Sequence, residues 1–167
     1  ALNIVRSRFS VKDSVFIDVL SDAIDVDFGE GIIENSRIEH SGNDAIDVSG
    51  TKITLKGVSI SDVGDKGISA GENSVVDGEN INIWDSNIAV ASKDKSHVKL
   101  NAIKLDGAKI GFLAFQKKTE FGPGHISLEG LSHTDIQRLY LVEQNSEVLV
   151  GNKEILDKHP DVKKFLY

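Results

Sequence analysis

Apolar and polar positions alternate along this chain in short runs that recur with a constant step of 22 residues. The segments Asp22-Ala-Ile-Asp-Val26 and Asp44-Ala-Ile-Asp-Val48 are one step apart. Leu2, Ile24, Ile46, Ile68, Val90 and Phe112 keep the same step, and so do Ile4, Val26, Val48, Ala70, Ser92 and Ala114. A spacing of two within each run is the strand period, so these residues point inward while Asn3, Asp25, Asp47, Ser69, Ala91 and Leu113 point outward.

Two further strand regions follow in each repeat. One carries Phe9/Val11, Ile53/Leu55, Val76/Gly78, Val98/Leu100 and Phe121/Pro123. The other carries Phe16, Ile38, Ile60, Ile83, Leu105 and then Leu128. Turn residues separate them, among them Ser41-Gly-Asn-Asp44, Gly71-Glu-Asn73 and Gly122-Pro-Gly124. Three strands this close leave no room for crossover helices, and hairpins would not hold identical columns in register. The pattern therefore predicts an all-β solenoid in which each strand pairs in parallel with its equivalent one coil on, about 4.8 Å away.

Residues 129–138 break the step and are expected to form a loop or short helix. Residues 1–152 form the solenoid in this reading. Residues 153–167 change period, with Ile155, Leu156, Val162, Phe165 and Leu166 on one side and Pro160 as a break, and predict a helical cap on the final coil. Ala1 starts directly in a strand, so further coils, another domain or a second subunit is expected over that end. With no methionine anywhere, the chain reads as the C-terminal part of a longer protein.

The coil motifs Gly42-Asn-Asp-Ala-Ile-Asp-Val-Ser49, Gly64-Asp-Lys-Gly-Ile-Ser-Ala-Gly71 and Asn87-Ile-Ala-Val-Ala-Ser-Lys93 resemble those of the pectin-lyase-like superfamily, over about residues 1–150. The resemblance implies a right-handed, single-stranded parallel β-helix, a carbohydrate-binding or sugar-hydrolysing setting, and a secreted, periplasmic or cell-surface location. The catalytic patterns of polygalacturonases and mannuronan epimerases are missing from the sequence.

Charge narrows the partners. The net charge of −7 argues against nucleic acid, and no run is long and apolar enough to insert in a membrane. Zero cysteines exclude disulfides and thiolate metal sites. Within this acidic chain, residues 93–118 carry seven lysines against two acids.

Three candidate sites follow. The outward acids Asp25 and Asp47, with Asn3, stack one coil apart and suggest a calcium site, or an acid/base pair as in retaining glycosidases. The ordinary alternative is a solvated face with Asp44 paired to Lys66. A second outward column runs Glu39, Ser61, Trp84, Asp106, Glu129, in which the indole is a sugar-stacking platform or else packs on its own coil. Lys95 and Lys117, one step apart, form a corner that attracts an acidic polysaccharide, or are plain solvated turn lysines. The five histidines show no metal-ligand spacing. The function expected is a non-catalytic module whose ligand is a polysaccharide and which needs no cofactor beyond possible calcium. The rivals are a polysaccharide lyase, hydrolase or epimerase, and a structural stalk or adhesive element.

Overall fold

Coil upon coil, parallel pairing carries the chain from its first strand nearly to its last. The computed structural model describes residues 1–166. Strands β1 (Leu2–Val5), β2 (Arg8–Lys12) and β3 (Val15–Val19) pair in parallel with β4 (Ile24–Asp27), β5 (Glu30–Glu34) and β6 (Arg37–Ser41). These in turn pair with β7 (Ile46–Ser49), β8 (Lys52–Lys56) and β9 (Ser59–Gly71). Beyond this point the separate strands fuse into the long β10 (Val75–Lys93), β11 (His97–Phe115) and β12 (His125–Glu143), followed by the short β13 (Glu147–Val150). The result is an all-β solenoid of about seven coils.

Long strands can wrap a narrow core because single residues at the corners take left-handed backbone angles. Asp13, Asn35, Gly57, Asn80, Ala102 and Gly130 form one such column. Asp18, His40, Asp62, Asp85, Gly107 and Asp135 form another, all with φ between 48° and 70°. Asn, Asp and Gly dominate because they tolerate this region at least cost. Inside, the stacked Ile24, Ile46, Ile68, Val90 and Phe112 are fully buried, as are Ile33, Leu55, Ile38 and Ile60 from the other two faces. Buried hydroxyls serve the corners. Thr51, Ser74 and Ser96 each accept the backbone N–H of the preceding coil, so no donor is left stranded there.

Two expectations are corrected. The extra residues do not lie at 129–138, which continue β12 without interruption. Register runs His97 to His125 and Phe112 to Tyr140, a step of 28, so the insertion is the segment 116–124 before β12. That segment is held by Gln116, whose side-chain amide donates to the carbonyls of Lys118, Thr119 and Phe121. It is also held by the buried Asp94, which accepts the N–H groups of Lys117 and Lys118. Ile126 and Leu128 therefore sit under Val98 and Leu100, and Phe121 and Pro123 lie in the inserted segment. His133 takes the third-face position below Leu105.

Residues 153–166 are not a helix either. They hold two-residue strands β14 (Lys153–Glu154) and β15 (Lys158–His159) and a single 3-10 turn at Lys163–Phe165. β14 turns back antiparallel on β13, Ile155 packs against the core, and β15 pairs with the end of β12. The rest lies along the outside of the solenoid. The outward column runs Asn3, Asp25, Asp47, Ser69, Ala91, Leu113, Leu141. Its last three members are fully buried, because Val162 and Leu166 cover them together with Ile88 and Phe115 in a second apolar cluster. The apolar spacing of the C-terminal segment thus serves a lateral strap.

Candidate functional site

On the outer face of the third strand region, register places Ile17, Glu39, Ser61, Trp84, Asp106 and Thr134 in one column. Four of the five residues expected there are present. Glu129 is not, because the insertion moves it beside Asn101 and Thr134 takes its place. The step from Ser61 to Trp84 is 23, because the turn between Gly71 and Val75 holds one residue more than the turn between Ser49 and Lys52. Trp84 is half-buried, with short polar side chains above and below it. The neighbouring outward column on this face is Arg37, Ser59, Asn82, Lys104 and Ser132, with Arg37 paired to Glu39 at 3.0 Å. One aromatic ring thus stands in a field of hydroxyls, an amide and mixed charges, an arrangement suited to stacking a sugar face while its hydroxyls find partners.

The acidic ladder is more enclosed than a solvated surface. Asn3 donates its Nδ2 to Asp25 at 2.6 Å, and Asp47 lies next in register. Burial first, and then the charges of Asp27 and Asp47, push the Asp25 carboxyl above the usual range. The counter-charge comes from inside the molecule. Lys93 runs its stem across Gly71, where any side chain would collide with it. Its amine reaches Ser69 Oγ at 2.9 Å and Asp47 Oδ1 at 3.8 Å. Burial pulls this ammonium below the ordinary lysine range, with Asp47 opposing. Beside it Asp44 is almost fully buried and pairs with Lys66, whose amine also meets Asp65. Burial raises the Asp44 carboxyl, against the pull of Lys66, and the Lys66 ammonium is held up by Asp44 and Asp65 despite its own burial.

A calcium ion at Asn3, Asp25 and Asp47 would have to replace an amide donor and a lysine. Among the described residues no group of three or more acidic or histidine side chains is arranged for a metal. Lys93→Met should leave Asp47 Oδ1 without a counter-charge and cost about 1–3 kcal/mol. Melts in millimolar calcium and in chelator decide between lysine and metal. Calcium should raise the melting temperature only of Lys93→Met, and a rise in the parent would show that the metal site is real.

The corner lysines both adjoin Asp94, which neighbours Lys95 in the chain and accepts the backbone N–H of Lys117 at 2.8 Å. The backbone of Lys95 bonds to Gly122 in the inserted segment, while Lys117 borders a small pocket with Lys66, Lys93 and Leu166.

Comparison with known proteins agrees with this architecture. The family model described as the right handed beta helix region matches residues 2–120. The chain belongs to the right-handed β-helix family. No curated protein and no solved structure matches it. Within the β-helix, two arrangements escaped sequence reasoning. His40 sits in a corner column between Asp18 at 3.7 Å and Asp62 at 3.0 Å. Further along the same corner a cleft opens over Ser86 and Gly107. The step of 22 contained the first arrangement, since Asp18, His40 and Asp62 are equally spaced. The second depends on which hydroxyl finds a partner, and that is a tertiary fact.

Proposed function

We propose that this β-helix is a non-catalytic carbohydrate-binding module of an exported or surface protein, with Trp84 as its stacking platform. The observation that carries the reading is the register of Trp84 between Ser61 and Asp106, short polar side chains that leave room at the indole face. Glu39 and Thr134 lie two coils away on either side, roughly 10 Å, which is close to the spacing of successive sugar units along a glycan. The right-handed sense of the coil and its three faces per turn belong to the same reading. So does a partner surface over the first coil, where Leu2, Ile4, Phe9, Val11, Phe16 and Val19 are only half-buried, whereas Ile24, Val26, Ile33 and Ile38 one coil further on are fully covered.

Titration of tryptophan fluorescence against a glycan panel tests the platform directly, because Trp84 is the only tryptophan. Binding should shift the emission. Trp84→Ala, which has no tryptophan left to report, should lose binding by calorimetric titration, with a melting temperature within a few degrees of the parent, since the ring is not core. Glycan binding that leaves the signal unchanged and survives Trp84→Ala would move the site elsewhere. A collapse of stability in Trp84→Ala would mean that the ring is structural.

A further inference from the structure

The first coil leaves one edge of the solenoid open. Strands β1, β2 and β3 each pair on one side only, with β4, β5 and β6, and no strand lies on their other side among the described residues. Such an edge carries a row of unpaired backbone donors and acceptors. Behind it the inward Phe9, Val11 and Phe16 are half-buried, whereas Ile33 and Ile38 one coil on are fully covered. On the outer side, Val15 and Ile17 of β3 are half-exposed in columns that carry Arg37 and Glu39 one coil further on. Backbone and apolar groups alike are placed for a further strand.

Charge shows what kind of strand fits. β2 reads Arg8-Phe-Ser-Val-Lys12, and β8, two coils on, repeats the pattern as Lys52-Ile-Thr-Leu-Lys56. In each, two outward cations flank two inward apolar residues. β8 is paired on both sides. One neighbour, β5, sets Glu30 opposite Lys52 and Glu34 opposite Lys56, and the other, β10, sets Glu79 opposite Lys56. β2 has β5 alone, whose Glu30 meets Arg8 at 3.5 Å and whose Glu34 meets Lys12 at 2.9 Å. The Arg8 side chain remains 89% exposed. Charged side chains can blunt a sheet edge. The same pattern in β8 prevents pairing on neither side, because these groups stand off the plane of the sheet.

We propose that the open edge of β2 takes an added strand from a partner protein, of the form acid-apolar-any-apolar-acid, with its carboxylates opposite Arg8 and Lys12 and its apolar side chains over Phe9 and Val11. β5 is the example within the molecule, since Glu30-Gly-Ile-Ile-Glu34 holds two acids at this spacing against the paired edge of β2. The spacing is symmetrical, so a parallel or an antiparallel strand meets both cations. In strand addition main-chain hydrogen bonds supply affinity and alternate side chains supply selectivity. A basic strand in the same place would set like charges directly opposite each other. The inference rests on the partner surface over the first coil and is independent of the Trp84 platform.

Fluorescence anisotropy of dye-labelled peptides built on Glu-Val-Thr-Val-Glu, Lys-Val-Thr-Val-Lys and Glu-Ser-Thr-Ser-Glu tests it, on the parent chain and on the double variant Arg8→Glu with Lys12→Glu. The parent should bind the first peptide roughly tenfold more tightly than the second, with a smaller margin at high salt, and the double variant should prefer the second. Misfolding cannot reverse a preference. The third peptide should bind the parent roughly tenfold more weakly than the first, because its hydroxyls add nothing to the core. Equal binding of the first two by the parent overturns the acidic selectivity and keeps the partner surface. A preference for the first that survives in the double variant, or equal binding of the first and third, overturns the proposal as well. A parent that sediments as a dimer which the first peptide does not dissociate gives the edge to a second copy instead. If the parent is monomeric and no peptide binds, the partner surface falls too.

Discussion

Ile46→Asp is expected to leave no cooperative melting transition. Ile46 is fully buried, in register with Ile24 before it and Ile68 after it, and every neighbour within the stack is apolar. An aspartate there has no partner for its charge and no water. It must either ionise at a cost of several kcal/mol or take up a proton and still strand a carboxyl. Total stability for a domain of this kind is only about 5–15 kcal/mol, so one such substitution removes most of it. Asp47→Asn, one residue along but facing outward, keeps an oxygen for Lys93 and relieves repulsion from Asp25. It should shift the melt by no more than a few degrees. Circular-dichroism melts of the two variants make the comparison, and equal destabilisation would mean that the inside and outside of the coil are misassigned.

The second large effect is at the other end of the chain. Truncation after Asn152 removes β14, β15 and the strap, and strips Val162 and Leu166 from Leu113, Leu141 and Phe115. Re-exposing these apolar side chains costs about 1.5–3 kcal/mol for each one fully uncovered, and the final coil loses its edge partners at the same time. A loss of several kcal/mol in a chain of this size corresponds to a fall in melting temperature on the order of 10 °C. The bared parallel edge should also drive concentration-dependent association, visible by light scattering. Val162→Asp in the full chain separates the two causes, because it lifts the strap and leaves β14 and β15 in place. It should lower the melt without association. A truncated chain that stays monomeric and melts like the parent would show that this segment covers nothing.

Much of this was legible from spacing alone, because a solenoid repeats its register as directly as its residues. The columns through Ile46, Val48, Ile53 and Ile60, and even the 23-residue step to Trp84, follow from the alternation of apolar and polar residues. The last coil does not follow in the same way, for a physical reason. Ile126 and Leu128 satisfy the two-residue period equally well on the second or the third face, so alternation could not place the insertion. Gly122-Pro-Gly124 marked it all along. The strap, too, had a signal in the sequence. The outward column turns from Asn3, Asp25, Asp47 and Ser69 to Ala91 and Leu113, and a column that becomes apolar on its outer side needs a cover. The Lys93 tie and the Ser86 cleft were not legible, because each depends on a side chain crossing between coils or failing to find a partner there.

The strap also divides the molecule mechanically. Each coil of a solenoid is held chiefly by its two neighbours, so stability is local and opening can start at whichever end is least anchored. The strap braces the coils that contribute Ala91, Leu113 and Leu141, and Lys93 reaches back to clamp the coils of Ser69 and Asp47. Neither reaches the first coil, whose apolar residues are only half-covered. Opening of the solenoid between these ties and the rest therefore meets two separate holds, first where Lys93 grips Ser69 and Asp47, and then where the strap covers Leu113 and Leu141. Trp84 stands in β10, the strand that contributes both Lys93 and Ala91, and keeps its setting for as long as these two holds last.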